Sequence, residues 1–443
     1  MPATSWPAYL GGPQHNSYAP LQTAITPTTA TTLVQKWSQT IGAPYSYLAS
    51  PIVNRGSVYV GAGNGMFYRL SKSTGRVLAA VNLGFQSQTT CPYGGLGVSS
   101  TATIAQDPRT HVLTVYVAGG DGYLYALRAL TLTTEWRSVI GIPSKTQNDY
   151  YDWSSPTVAN GKIYVGVASS CDRPLVRGAV LGFRQATGAK FAVFYTVPAG
   201  AHNYGASVWS SIAVAQNGDV FATTGNGPYG RPRLRYSESI LKLNPNTLAL
   251  MGRYQVPVTD VTGDGDFGAS PEIIGGLVGA CNKNGIFYAL RQSTMKLVWK
   301  QHIGHSTGAG PKWSACLTTP VYNGKDLYFA GNGTTIDGVF SYGSVQERSP
   351  STGALIRETP LPGGPMGSPT MDGAGVIAVG TYSAGATGVF LINAATGAIL
   401  APAGSPAGSP LISGSTFGQS AFAEGELFTA TSSGVSAWGP PAG

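Results

Sequence analysis

Charge is scarce in this chain: 27 Lys and Arg with 19 Asp and Glu make up 10 % of its 443 residues, where soluble domains carry roughly 25 %. A disordered chain would have more charge and fewer aromatics than the 23 Tyr, 14 Phe and 8 Trp here. No run approaches the ~18 consecutive apolar residues of a membrane-spanning helix. The opening MPATSWPAYLGG has no apolar leader core, so either the protein is cytoplasmic or, as a periplasmic or secreted location would require, the sequence begins after a removed signal. The five His residues lack metal-ligand spacing, and no HExxH, CxxC or CxxCH occurs, so no haem attachment is expected. The net charge of +8 is scattered, its densest group being Arg231, Arg233 and Arg235. A nucleic-acid partner is not expected from that distribution.

Glycine and proline are abundant, with 61 and 30 copies, and hydrophobic residues make up 42 %. Helical bundles exclude Gly and Pro, so the composition reads as all-β with many tight turns. One pattern recurs about every 50 residues, the signature of a propeller or solenoid. SSPTVANGKIYVGVAS from Ser154 is a strand, an Asn-Gly turn and a second strand. Related segments start at Ser50, Ser100, Ser210, Ser270, Thr319, Ser368 and Ser420. A third strand follows, as in FYRL from Phe67. Several units then carry a Thr-Gly turn (Thr74–Gly75, Thr187–Gly188, Thr352–Gly353, Thr396–Gly397). A fourth strand such as LVWKQHIG from Leu297 completes the unit.

The pattern predicts a single eight-bladed β-propeller of four-stranded antiparallel blades. The last unit ends at GVSAW without a fourth strand, and LVQKWSQTIG from Leu33 is a fourth strand without its three predecessors. Pairing these two in one blade closes the ring and removes sheet edges. The propeller is expected over residues 33–443, with 1–32 as an N-terminal extension packed on it.

Acids are concentrated in YQVPVTDVTGDGDFGASP, which supplies Asp260, Asp264 and Asp266. The segment reads equally as a solvated turn, a calcium loop or a catalytic carboxylate. Four cysteines allow three pairings. Cys281 and Cys316 would join neighbouring blades, which suits an oxidising compartment.

The SWPAYLGGPQHNSYAP opening, the blade repeats, VWSSIAVAQNGDVFATTGN, DFGASP and NKNGIFYAL resemble the pyrroloquinoline-quinone (PQQ) propeller quinoproteins, closest to polyvinyl-alcohol-dehydrogenase-like members. The resemblance covers nearly the whole chain. It implies a PQQ-dependent alcohol dehydrogenase passing hydride to the quinone and electrons to a separate acceptor. The substrate would be a small-molecule or polymer alcohol. It further implies that Trp209 stacks on the quinone, that Lys283 and Arg177 bind the cofactor and that Asp266 is the general base. Asn226, Asp266 and Asp264 would hold calcium or another divalent cation. Arg173 stands where these enzymes carry a metal-binding glutamate, with Asp172 one position off, and Cys171 has no adjacent cysteine. That departure implies an incomplete metal site with weak calcium binding. It keeps a second reading open: a non-catalytic propeller acting as a binding or assembly scaffold.

Overall fold

The computed structural model describes residues 4–43, 48–86, 96–143, 149–172, 174–200, 204–228, 233–305, 315–432 and 434–441. Its strands form antiparallel sheets arranged as propeller blades. In the blade of Ile52–Asn54, Ser57–Gly61, Met66–Ser71 and Val77–Asn82, each strand pairs with the next. Burial falls outwards across the blade: Ser57–Gly61 is buried throughout, Met66–Ser71 is half-buried apart from the buried Phe67 and Leu70, and Val77–Asn82 is exposed or half-buried, as a sheet covered on both faces but wet at its edge requires.

The expectation of eight four-stranded antiparallel blades is corrected. Seven sheets contain such a blade; the sheet around Thr370–Asp372 does not have that form. There Tyr18–Ala19 adds a parallel strand inside Thr370–Asp372, Gly363–Pro365 pairs with Val376–Gly385, and the outer edge of Gly388–Asn393 is covered in two broken pieces, an isolated bridge at Ile399 and the short strand Ile412–Ser413. The cause lies in residues 401–410, where Pro402, Pro406 and Pro410 alternate with Gly404 and Gly408. Proline cannot donate to a ladder, so this stretch cannot run as a strand.

The termini meet in one sheet, where Val34–Gln39 pairs with Gly434–Gly439 and Trp37 lies opposite Ala437. The Thr-Gly turns have a shared reason. Gly75, Gly188 and Gly353 take positive φ, and a Cβ on each would strike the rings of Trp37, Trp136 and Trp299 respectively. Each tryptophan comes from the outer strand of one sheet and seats on the turn of the next. Trp299 Nε1 donates to the Pro350 carbonyl at 2.9 Å, and Trp37 Nε1 does the same to Lys72.

A second set of contacts runs round the axis. Backbone N–H groups of Gln419, Ser50, Thr101, Ser155 and Ser211 donate in turn to the hydroxyls of Ser50, Thr101, Ser155, Ser211 and Ser270, at 2.9–3.2 Å. Hydroxyls at or next to the start of these repeats therefore tie neighbouring inner strands together.

The N-terminal segment closes one end of this ring. Backbone bonds link Thr4 to Glu424, Trp6 to Val53, Pro7 to Ile104, Pro13 to Val214, Gln14 to Ile273, Asn16 to Tyr322 and Ser17 to Met371. One strap thus engages the inner strands of seven sheets. His15 sits inside it, 1 % exposed, with Nδ1 on the Pro271 carbonyl at 2.8 Å. Burial pushes the imidazole down to about 4 from 6.5, with the Pro271 carbonyl partly opposing. The unfolded chain therefore takes the proton first, so stability is full above pH 6.5 and falls as the pH drops towards 4. We expect acidification to cost about 3 kcal/mol through this group. Asparagine tolerates the φ of 62° at this position, so His15→Asn should flatten that part of the denaturant-midpoint profile. An unchanged profile would assign the acid sensitivity elsewhere.

Candidate functional site

A cavity of about 430 Å³ is lined by the axial ring residues Ser50, Thr101, Ser155, Ser211 and Ser270, and is within the size range of small-molecule sites. Tyr9 of the strap lines it, with Ser270 and Ser368 beside its hydroxyl. Trp209 and Lys283 lie on the same lining as these hydroxyl residues. Trp153, Trp209, Asp172, Asp266 and Lys283 line the rest, and Tyr382 and Phe417 pack together with ring centroids 3.9 Å apart.

The charged wall is built by loops from neighbouring sheets. Lys283 occupies the turn between Leu277–Cys281 and Ile286–Arg291, and its backbone N–H donates to the Asp266 carbonyl at 2.9 Å. Its Nζ reaches Asp266 Oδ2 at 2.8 Å and both oxygens of Asp264 at 3.0 and 3.1 Å. The same ammonium lies 5.3 Å from the Trp209 ring centroid, a cation–π distance. Burial alone would lower the Lys283 pKa, but Asp266 and Asp264 outweigh it and hold the ammonium above the ordinary lysine value. Burial raises Asp264; Lys283 opposes this and Asp266 adds to it.

Asp266 is fixed on its other side as well. Its Oδ1 accepts the Asn226 backbone N–H at 2.5 Å. A Cβ at Gly225 would collide with that oxygen, which explains the Gly-Asn pair of TTGN. Gly268 has a comparable role, since a Cβ there would come within 2.7 Å of the Trp209 indole. The disulfide Cys281–Cys316, with Cα atoms 5.5 Å apart, anchors the strand that leads into Lys283. Cys171 is also disulfide-bonded, while Cys91 lies outside the described residues.

Trp209, Asp266, Asp264 and Lys283 therefore converge, and Asn226 joins them through its backbone. Its side chain is not among the cavity-lining groups. Arg177 stands apart, its guanidinium 3.5 Å over the Tyr195 ring and its Nε donating to the Val197 carbonyl. Arg173 lies outside the described residues. Tyr9 and the axial serines were not anticipated as cavity residues. The serines were visible as the recurring start of each repeat, but nothing local in Tyr9 marks it.

A family model described as "PQQ: Glucose/ethanol/alcohol dehydrogenase, beta-propeller domain" matches residues 6–292. The chain belongs to this PQQ propeller family. No curated protein matches it. Among solved structures it is similar to the quinohemoprotein alcohol dehydrogenase ADHIIG of Pseudomonas putida HK5, with 18 % identity and a TM-score of 0.76 over 100 % of this chain and 81 % of that one. It is also similar to a europium-containing methanol dehydrogenase, with 14 % identity and a TM-score of 0.74 over 96 % and 89 % of the two chains. BamB of Moraxella catarrhalis follows with 15 % identity and a TM-score of 0.57 over 92 % and 100 %. At these identities the likeness carries the propeller fold.

The residues present fit the planar cofactor of this PQQ family better than its metal. A cavity walled by an indole and a fixed ammonium suits a flat anionic aromatic group. A divalent ion is less well provided for. Calcium takes 6–8 oxygen ligands, yet both Asp266 oxygens and both Asp264 oxygens are already engaged. Among the described residues no three His, Cys, Asp or Glu side chains converge as a metal group. The donor set does not fit calcium. No helix among the described residues is long and apolar enough to cross a membrane.

Proposed function

We propose that this chain is an extracytoplasmic quinoprotein dehydrogenase that oxidises an alcohol in the axial cavity and passes electrons to a separate acceptor. The observation that carries the reading is the Lys283 ammonium, held by Asp264 and Asp266 and set against Trp209 at the cavity wall. Trp209 would supply the stacking face and Lys283 the positive charge for the bound quinone. PQQ, when bound, supplies the hydride acceptor. The chain's own residues position it, shield it from water and accept the alcohol proton on a carboxylate. Arg177 would join the cofactor only by leaving Tyr195. Asn226 serves through its backbone N–H, holding Asp266 in place.

The test is dye reduction by the protein incubated with PQQ, across a panel of primary, secondary and polymeric alcohols. Alcohol-dependent turnover supports the reading. Absence of both PQQ binding and turnover would favour a propeller that serves as a binding or assembly scaffold, a reading to which the poor fit for calcium lends weight.

A further inference from the structure

Three carboxylates face Lys283, and they differ in how far they are already engaged. Asp266 is 5 % exposed and has each oxygen committed, one to the Asn226 N–H and one to Lys283. Asp264 spends both oxygens on the same ammonium. Asp172 lines the cavity yet has no hydrogen bond or ion pair among the described residues. A carboxylate that already accepts a strong charge-assisted bond at each oxygen is a weak proton acceptor. An unengaged one at the cavity wall is a better one, provided that it is held in place.

The loop holds it. Asp172 sits at φ 60°, a left-handed conformation that Asp adopts more readily than most residues, and the packing of the preceding residues fixes it. It follows the disulfide-bonded Cys171, which packs with Trp153 against Tyr151 and Leu96. The Trp153 indole N–H in turn donates to the Ser169 and Ser170 carbonyls at 3.2 and 3.1 Å.

We propose that Asp172, rather than Asp266, accepts the alcohol proton, and that Asp266 is the positioning residue that fixes Lys283. The inference rests on the dehydrogenase reading above. In the step, the alcohol O–H bond breaks and its proton goes to an Asp172 oxygen. The carbinol C–H bond breaks with its electron pair, delivered as hydride to a bound orthoquinone as the oxidant. A carbonyl product and a protonated Asp172 remain. The charged groups facing Asp172 are Asp266, Lys283 and Asp264. Burial, then Asp266, raise its carboxyl to about 6, with Lys283 opposing and Asp264 adding. A base with that value is ionised at neutral pH, and turnover should rise with pH through it.

The experiment compares wild type, Asp172→Asn and Asp266→Asn, each incubated with PQQ. Cofactor binding is read by tryptophan fluorescence, and turnover by dye reduction from pH 4.5 to 8.5. Asp172→Asn should bind PQQ within about twofold of wild type, lose roughly 100-fold or more in turnover and lose the acid limb near pH 6. Asp266→Asn should weaken PQQ binding instead and keep the acid limb in its residual turnover. Wild-type-like turnover in Asp172→Asn, with PQQ bound, overturns this assignment alone. Failure of wild type to bind PQQ overturns the dehydrogenase reading and this assignment together.

Discussion

Lys283→Met is expected to cost the fold about 3–5 kcal/mol, because it leaves two largely buried carboxylates without the cation that bridges them. In the native protein the ammonium contacts Asp266 and Asp264, whose side chains are 7 % and 25 % exposed. Without it, burial and the neighbouring Asp266 charge raise the Asp264 carboxyl unopposed. A raised carboxyl favours its protonated form in the folded state, so the variant's deficit should grow as the pH rises and shrink in acid. The measurement is the urea midpoint at pH 5 and pH 8, at unchanged slope. The triple variant Lys283→Met, Asp264→Asn, Asp266→Asn should recover most of the loss. A single variant as stable as wild type at pH 8 would mean that the ion triad contributes nothing.

Trp6→Ala should be as damaging, through packing rather than charge. Trp6 is 2 % exposed and exchanges both backbone hydrogen bonds with Val53. Truncating a buried aromatic of this size costs about 3–5 kcal/mol. The effect should reach the cavity, because Trp6 leads into Tyr9, which lines it, and a Cβ at Gly11 would already press on the Trp6 ring. Ligand affinity should therefore drop together with the denaturation midpoint. Loss of stability with unchanged affinity would show that the strap holds the ring but does not shape the site.

Much of the architecture could be read from the residues because its causes are local. Asn-Gly and Thr-Gly turns demand positive φ, alternation sets the strands, and the orphan strand at Trp37 could pair only with the unfinished last unit. The irregular sheet was misread because Ser368–Thr381 has the same apolar alternation as a true blade. The Pro-Gly stretch at 401–410 shows its effect only where an outer strand should run. The strap was equally hidden: residues 4–19 are short of regular pattern, and their partners lie in seven different sheets. For the site, the family resemblance picked out Trp209, Asp266 and Lys283, which do converge. It could not show that Lys283 bridges Asp264 as well, or that Arg177 stacks on Tyr195. Those contacts depend on loop geometry across neighbouring sheets, which sequence spacing does not encode.

The most direct test of the central claim is a fluorescence titration of the cofactor-free protein with PQQ, run in parallel on Trp209→Leu. A quinone stacked on the Trp209 indole beside Lys283 predicts saturable quenching at one PQQ per chain. It also predicts affinity weakened by about tenfold in Trp209→Leu, the loss expected for one aromatic stacking contact. Quenching that never saturates, or equal affinity in the two proteins, would contradict the claim that this cavity is a quinone site.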